Sequence, residues 1–194
     1  MSVPNELRFH RVGALCLIVV CFAAVGQGSR QSLSFNADSV SLGADSSAFK
    51  NVTITDGRVS IEAGKGRITG DETAEGSWEL SDGVRIAIDS AHLSGAAATF
   101  RYSEGQFTVG EITGEPVMFE TSPGAGVAPI RGTAGTISYD RAQGLLSATG
   151  GAPFSRGAQE VDCDWTFNLE DGTASGIGEG DEKCVVRIPI RRER

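Results

Sequence analysis

The stretch Val52-Thr53-Ile54-Thr55-Asp56-Gly57-Arg58-Val59-Ser60-Ile61-Glu62-Ala63 decides how the chain reads. Val52, Ile54, Val59, Ile61 and Ala63 alternate with Thr53, Arg58, Ser60 and Glu62. A period of two puts apolar side chains on one face of a pleated strand and polar ones on the other. Asp56-Gly57 stands between the two runs, and Asp-Gly flanked by alternating hydrophobics is the strongest short-range hairpin signal. The same grammar continues outward. Trp78-Glu79-Leu80 and the run Val84 to Ile88 flank Ser81-Asp82-Gly83, which reads as a second hairpin turn. Farther on, Val161, Cys163, Trp165, Phe167 and Leu169 alternate with Asp162, Asp164, Thr166 and Asn168, which reads as one strand. Past the N-terminal leader no window carries a helical period of comparable strength.

Composition agrees. The 194 residues include 26 Gly but only 6 Pro, with 40% apolar and 22% charged residues. That balance is globular, and glycine on this scale points to many tight turns and an all-β chain. A formal charge of −8 argues against nucleic acid as a partner, since phosphate binding needs a basic face. A loose echo runs through the chain: Ala37 to Leu42, Ile88 to Leu93 and Ala134 to Tyr139 share a pattern, with weaker copies at Ala63 to Ile68 and Val109 to Ile112. Units so small cannot bury an apolar face alone, so neighbours must stack. The product is a layered antiparallel structure, either a jelly-roll sandwich or a short β-solenoid.

The N-terminus has a different character. Arg8, His10 and Arg11 precede an apolar run from Val12 to Val25, followed by Gly26-Gln27-Gly28-Ser29-Arg30. A basic start, a short apolar run and small residues at its end are the layout of a secretory signal peptide, here cut near Gly26. A membrane-spanning helix needs roughly 20 apolar residues. Retention as an inner-membrane anchor is the alternative, with Leu15 to Phe22 spanning a thin bilayer. The expected division is therefore 1–28, a helical signal or anchor segment, and 29–194, a single β domain. Export leaves Cys163 and Cys184 as an even pair in an oxidising compartment. They form either a disulfide, worth roughly 3 kcal/mol by loop-closure entropy, or two buried thiols. Neither has a nearby His or second Cys, so no metal site and no cofactor are expected.

Catalytic chemistry has little to work with. His10 lies in the leader, and His92 sits between Ala91 and Leu93 in an alternating strand, facing solvent. Asp38, Asp89, Asp162 and Asp164 are the carboxylates that a glycan-cleaving solenoid would use in pairs, yet turn and strand-edge carboxylates occur in any acidic β protein. No Gly-rich segment joins a strand to a helix, so the glycines make turns and not a phosphate cradle. No catalytic residues are assigned, and the chain is not expected to be an enzyme.

Four phrases recur in a recognisable order: Leu33-Ser34-Phe35-Asn36-Ala37-Asp38; Phe49 through Ala63; Gly114-Glu115-Pro116-Val117-Met118-Phe119; and Ala134-Gly135-Thr136-Ile137-Ser138-Tyr139 with the Gly144 to Gly150 hairpin. Together they resemble the OstA-like family of periplasmic lipopolysaccharide-transport proteins, whose soluble bridge member is LptA and whose membrane-anchored member is LptC. The chain departs from the pattern at Gly64, where the family usually has Asp, and in extra strand material from about residue 70 to 106.

The resemblance implies a twisted antiparallel β-jelly roll, periplasmic and active in outer-membrane biogenesis. It implies an apolar groove for the acyl chains of lipid A. The partners it implies are lipopolysaccharide, the Lpt β-jelly-roll proteins of both membranes, and further copies joined head to tail. By motif position Leu33, Phe35, Phe119 and Tyr139 would line the groove, with Val52 and Ile54 beside them; simple core packing is the alternative role for each. The run Cys184 to Ile190 fits an edge strand, because Pro189 cannot donate to a ladder. Arg187, Arg191, Arg192 and Arg194 would blunt that edge or meet lipid phosphate, with a solvated tail as the alternative. Three other readings stay open: an anchored LptC-like subunit of the same export system, a carbohydrate-active β-solenoid enzyme, and a structural envelope or adhesin domain.

Overall fold

The computed structural model describes residues 33–70, 75–122, 126–178 and 183–188. The expected leader and cleavage point lie outside the described residues, as do Pro189 and the tail arginines. The chain divides into the units Met1–Arg30 and Gln31–Arg194, and all that follows concerns the second.

Alternation and turn chemistry produce the expected hairpin. Strand β3 (Ser46–Thr55) pairs with β4 (Val59–Gly70), placing Val52 opposite Ala63 and Ile54 opposite Ile61. Gly57 turns the chain at φ 90°, a conformation that glycine adopts freely. From there β5 (Glu75–Ile88), β6 (Ala91–Ser103), β7 (Gln106–Thr121) and β8 (Ile130–Asp140) each pair antiparallel with the strand before. Shorter strands follow: β9 (Leu145–Thr149), β10 (Phe154–Arg156), β11 (Gln159–Asp162), β12 (Asp164–Asn168), β13 (Ala174–Ile177) and β14 (Val185–Arg187). At the other end β1 (Ser34–Asn36) and β2 (Ser39–Leu42) both pair with β3. The result is one 14-stranded antiparallel sheet, the twisted jelly roll expected.

That sheet is folded along a crease. Register skips between Glu62 and Lys65, Ser81 and Val84, Ser94 and Ala97, and Thr113 and Val117, so bulges stack from strand to strand. A bulge bends its strand, and a column of them bends a sheet. Asn51, at φ 49°, continues the line into β3; Gly150 and Gly151 part β9 from β10, and Cys163 parts β11 from β12. Backbone crowding explains the glycines there: a Cβ on Gly64 would come within 2.8 Å of the Asp82 carbonyl oxygen.

The crease corrects three sequence expectations. Ser81-Asp82-Gly83 is no hairpin turn; it is a bulge inside the continuous β5, because long partners on both sides pair with the strand before and after it. The run Val161 to Leu169 is two strands, broken at Cys163. The loose repeat marks no stacked unit: Ala37 to Leu42 and Ala134 to Tyr139 cross the crease, whereas Ile88 to Leu93 turns at the opposite rim.

The crease makes two leaves whose apolar faces meet. In the first leaf Phe35, Ile54, Ile61, Ile86, Leu93 and Phe119 are successive cross-strand partners, and the row runs on through Gly132, Phe154, Val161 and Val186. The second leaf answers with Trp78, Phe100, Ile112, Ile137, Leu146, Trp165 and Phe167, all buried. Phe119 lies 4.7 Å from Trp165 and 5.2 Å from Phe167 between ring centroids, so the leaves interdigitate. Large rings sit against glycines: a Cβ on Gly66 would crowd Trp78, one on Gly110 would clash with Phe100, and one on Gly132 would crowd Trp165.

Candidate functional site

The expected groove residues fall on this interior. Phe35, Ile54 and Phe119 share one row of the first leaf, Val52 lies beside it at the crease, and Tyr139 faces them from the second leaf. Val52, Ile54, Phe119 and Tyr139 are buried, Leu33 packs partly buried against the core, and Phe35 is 37% exposed at the N-terminal edge. Burial pushes the Tyr139 phenol up, an effect the Arg141 guanidinium opposes. Between the leaves the side chains leave a void of only about 10 Å³ beside Ile86, Leu93, Phe100 and Ile137. The middle of the interior is therefore packed core, not an open channel.

One rim is clasped. The Asp56 carboxylate, fully buried, accepts hydrogen bonds from the Arg58 and Val59 amides at 3.1 and 2.9 Å in its own turn. It also accepts from the Phe107 amide at 3.1 Å and from Arg141 Nη1 at 2.6 Å, both on the second leaf. Arg141 Nη1 donates to the Phe107 carbonyl as well. Beside the clasp Arg58 grips Asp89 through Nη2 at 2.6 Å and Nε at 3.3 Å, and this carboxylate raises the guanidinium pKa further.

The C-terminal end is open instead. A hollow of about 350 Å³ lies between Ile130, Phe154, Val161 and Val186 on one side and Ala174 and Gly176 on the other. Phe154 and Val161 are half-buried there, and Val186 is 57% exposed. Cys163 and Cys184 are joined at the crease with their Cα atoms 5.0 Å apart, tying β14 to the junction of β11 and β12. Their sulfurs lie where a side chain on Gly176 would sit. Sequence reading missed Phe154, Val161 and Val186 as one surface, because only cross-strand register aligns them.

A larger hollow, about 930 Å³, lies on the outward face of the first leaf. Its walls carry the ion pairs Glu120–Arg131 at 2.7 Å, Asp162–Arg187 at 3.3 Å and Glu62–Arg85 at 3.8 Å. Exposed His92 stands among them. Met118, Pro153 and Phe154 supply apolar wall between these charges. Asp162 points here, bound to Arg187, while Asp164 stands across the crease in β12, so the two do not form a facing pair.

Among the described residues both edges of the sheet lack a further strand: β1 and β2 pair with β3 alone, β13 with β12 alone and β14 with β11 alone. Exposed apolar side chains gather at those edges, Val40 and Leu42 at one, Ile177, Val185, Val186 and Ile188 at the other. Unpaired edges with apolar side chains are templates for another β chain.

A folded antiparallel sheet with an apolar interior, one clasped rim and, among the described residues, two edges without a further strand is suited to binding. Residues 36–165, well over half the chain, match the family described as LptA/(LptD N-terminal domain) LPS transport protein, and the chain belongs to that family of lipopolysaccharide transport proteins. Among solved structures it is similar to that of LptH, the LptA homologous periplasmic component of the lipopolysaccharide transport device of Pseudomonas aeruginosa. The identity is 12%, with 82% of this chain and 96% of that one covered, at a TM-score of 0.43. Comparison with curated proteins gives no match.

Proposed function

We propose that the chain is a periplasmic, non-enzymatic carrier that holds the acyl chains of lipopolysaccharide against the inner face of the first leaf and passes them along a bridge between the two membranes. The observation that carries this reading is the inner row from Phe35 to Val186, which is apolar throughout and runs from one unpaired sheet edge to the other. Nine strand spacings at about 4.8 Å make it roughly 43 Å long. Each methylene buried on it is worth about 0.8 kcal/mol.

Because the middle is packed, an acyl chain enters at the C-terminal hollow and advances as rings and leaves yield. Phe35, Leu33, Val52, Ile54, Phe119 and Tyr139 are the proposed lining of the path beyond. Copies or related β proteins join edge to edge, β13 and β14 of one against β1 and β2 of the next, which makes the rows continuous. Exposed aliphatic side chains on both edges favour that junction.

The test is site-specific photocrosslinking to lipopolysaccharide, with the photoreactive residue at Val161 or Val186 and, for comparison, at the outward-facing Met118 or Ser138. Strong adducts at the first two positions and weak ones at the others are expected. Adducts on the outward positions alone, or none anywhere, would remove the interior path.

A further inference from the structure

Both tryptophans of the chain carry an indole N–H sealed in the interior, Trp78 at 0% and Trp165 at 1% exposure, and neither Nε1 has a hydrogen-bond partner. Buried donors without an acceptor are uncommon and destabilising, so each calls for a reason. What lies in front of the two rings differs. Trp78 is closed in by Phe35 at 5.7 Å and Phe49 at 5.0 Å, and its Cζ3 edge, remote from the nitrogen, faces Gly66.

Trp165 packs behind two residues of the C-terminal hollow. Phe154, with its ring 6.0 Å away, lines that hollow, and so does Gly176, the cross-strand partner of Trp165. Trp165 Cζ2, on the nitrogen side of the indole, comes within 3.2 Å of where a Cβ on Gly132 would be. Gly132 is the gap between Phe119 and Phe154 in the inner row of the first leaf. The nitrogen side of the indole thus lies against the gap in the inner row next to Phe154.

We infer that Trp165 Nε1–H is a polar anchor for an acyl chain bearing an ester or amide carbonyl, taken through the C-terminal hollow. This rests on the acyl-binding reading above and names the group that takes the ester or amide carbonyl of such a chain. The carbonyl oxygen accepts the hydrogen bond that the protein leaves unmade, while Ile130, Val161 and Ala174 take the methylenes. A plain alkane satisfies only the walls. Arg156, also at the hollow, would attract a free carboxylate, so an uncharged ester isolates the contribution of the indole.

The experiment compares methyl laurate with dodecane, each binding constant divided by that probe's partition into hexadecane. Intrinsic fluorescence reads the binding, and a Trp78→Phe variant leaves Trp165 as the sole indole. After that division the ester is expected to exceed the alkane by at least about 5-fold, the net worth of one hydrogen bond in water. Trp165→Phe, followed by displacement of a fluorescent acyl probe, brings the ratio to about one, whereas Trp78→Phe keeps it. Equal ratios in the unaltered protein, or a preference that survives Trp165→Phe, overturn the anchor and leave the acyl path standing. If neither probe binds, the acyl-binding reading falls together with the anchor.

Discussion

The two ends of the interior are closed by different physics. At the Asp56 rim a buried carboxylate is shared between a turn of the first leaf and both Phe107 and Arg141 of the second. At the C-terminal hollow no ion pair among those described crosses between the leaves, and half-buried Phe154 and Val161 and exposed Val186 face the gap. A directional, fully satisfied charge sets one spacing between the leaves, and apolar contact tolerates several. One folded sheet thus carries a rim locked by charge and, at one end, a gap faced by apolar side chains, without any hinge loop. The carrier proposed above would use that combination.

The largest effect should come from Arg141→Ala, which strands the Asp56 charge in the interior. A loss of about 3–5 kcal/mol is expected in urea unfolding. A loss below 1 kcal/mol would mean that the rim is not clasped and would erase the contrast. Replacing Cys163 and Cys184 together by alanine should remove roughly 3 kcal/mol. Amide exchange should quicken at Val185 to Arg187 and Val161 while Val59 and Phe107 stay protected; equal quickening at both ends would tie the hollow to the clasp.

Arg58→Ala cuts a more exposed pair, with side chains 40% and 33% accessible, and should cost less than about 1 kcal/mol in the same assay. Val186→Asp should leave stability within about 0.5 kcal/mol yet weaken capture of an acyl probe, because the side chain lies outside the core at the opening. Unchanged capture would move the opening elsewhere.

The smallest effect concerns pH. Burial holds the Tyr139 phenol above its ordinary value of about 10, so the unfolded chain loses this proton first as pH rises. Its contribution to stability is complete below about pH 10 and declines as pH climbs from the unfolded toward the folded pKa. Absorbance titration of phenolate in the unaltered protein and in Tyr139→Phe checks it.

Much of this was legible residue by residue. Alternation at Val52 to Ala63 and the Asp56-Gly57 turn predicted both the hairpin and which side chains face inward, since the pleat has a period of two whatever the partner. The family phrases put Phe35, Ile54 and Phe119 among the expected groove residues, and only cross-strand register sets them in one row. Asp82-Gly83 misled, because a left-handed pair bends a strand or reverses it according to the length of its neighbours, and that information lies in β4 and β6. Asp56 showed itself only as a turn residue. Its burial depends on Arg141, 85 positions away.

Local rules thus suffice for what each residue does to its own strand: inward or outward, straight or turned. Which strands bend together, and therefore which side chains share the interior, follows from register accumulated across the whole sheet. The row from Phe35 to Val186, the Trp165 ring over Gly132 and the clasp at Asp56 are contacts between residues far apart in the chain. Such contacts form once loop closure and packing of both leaves are satisfied at the same time, and no short window of sequence carries that condition.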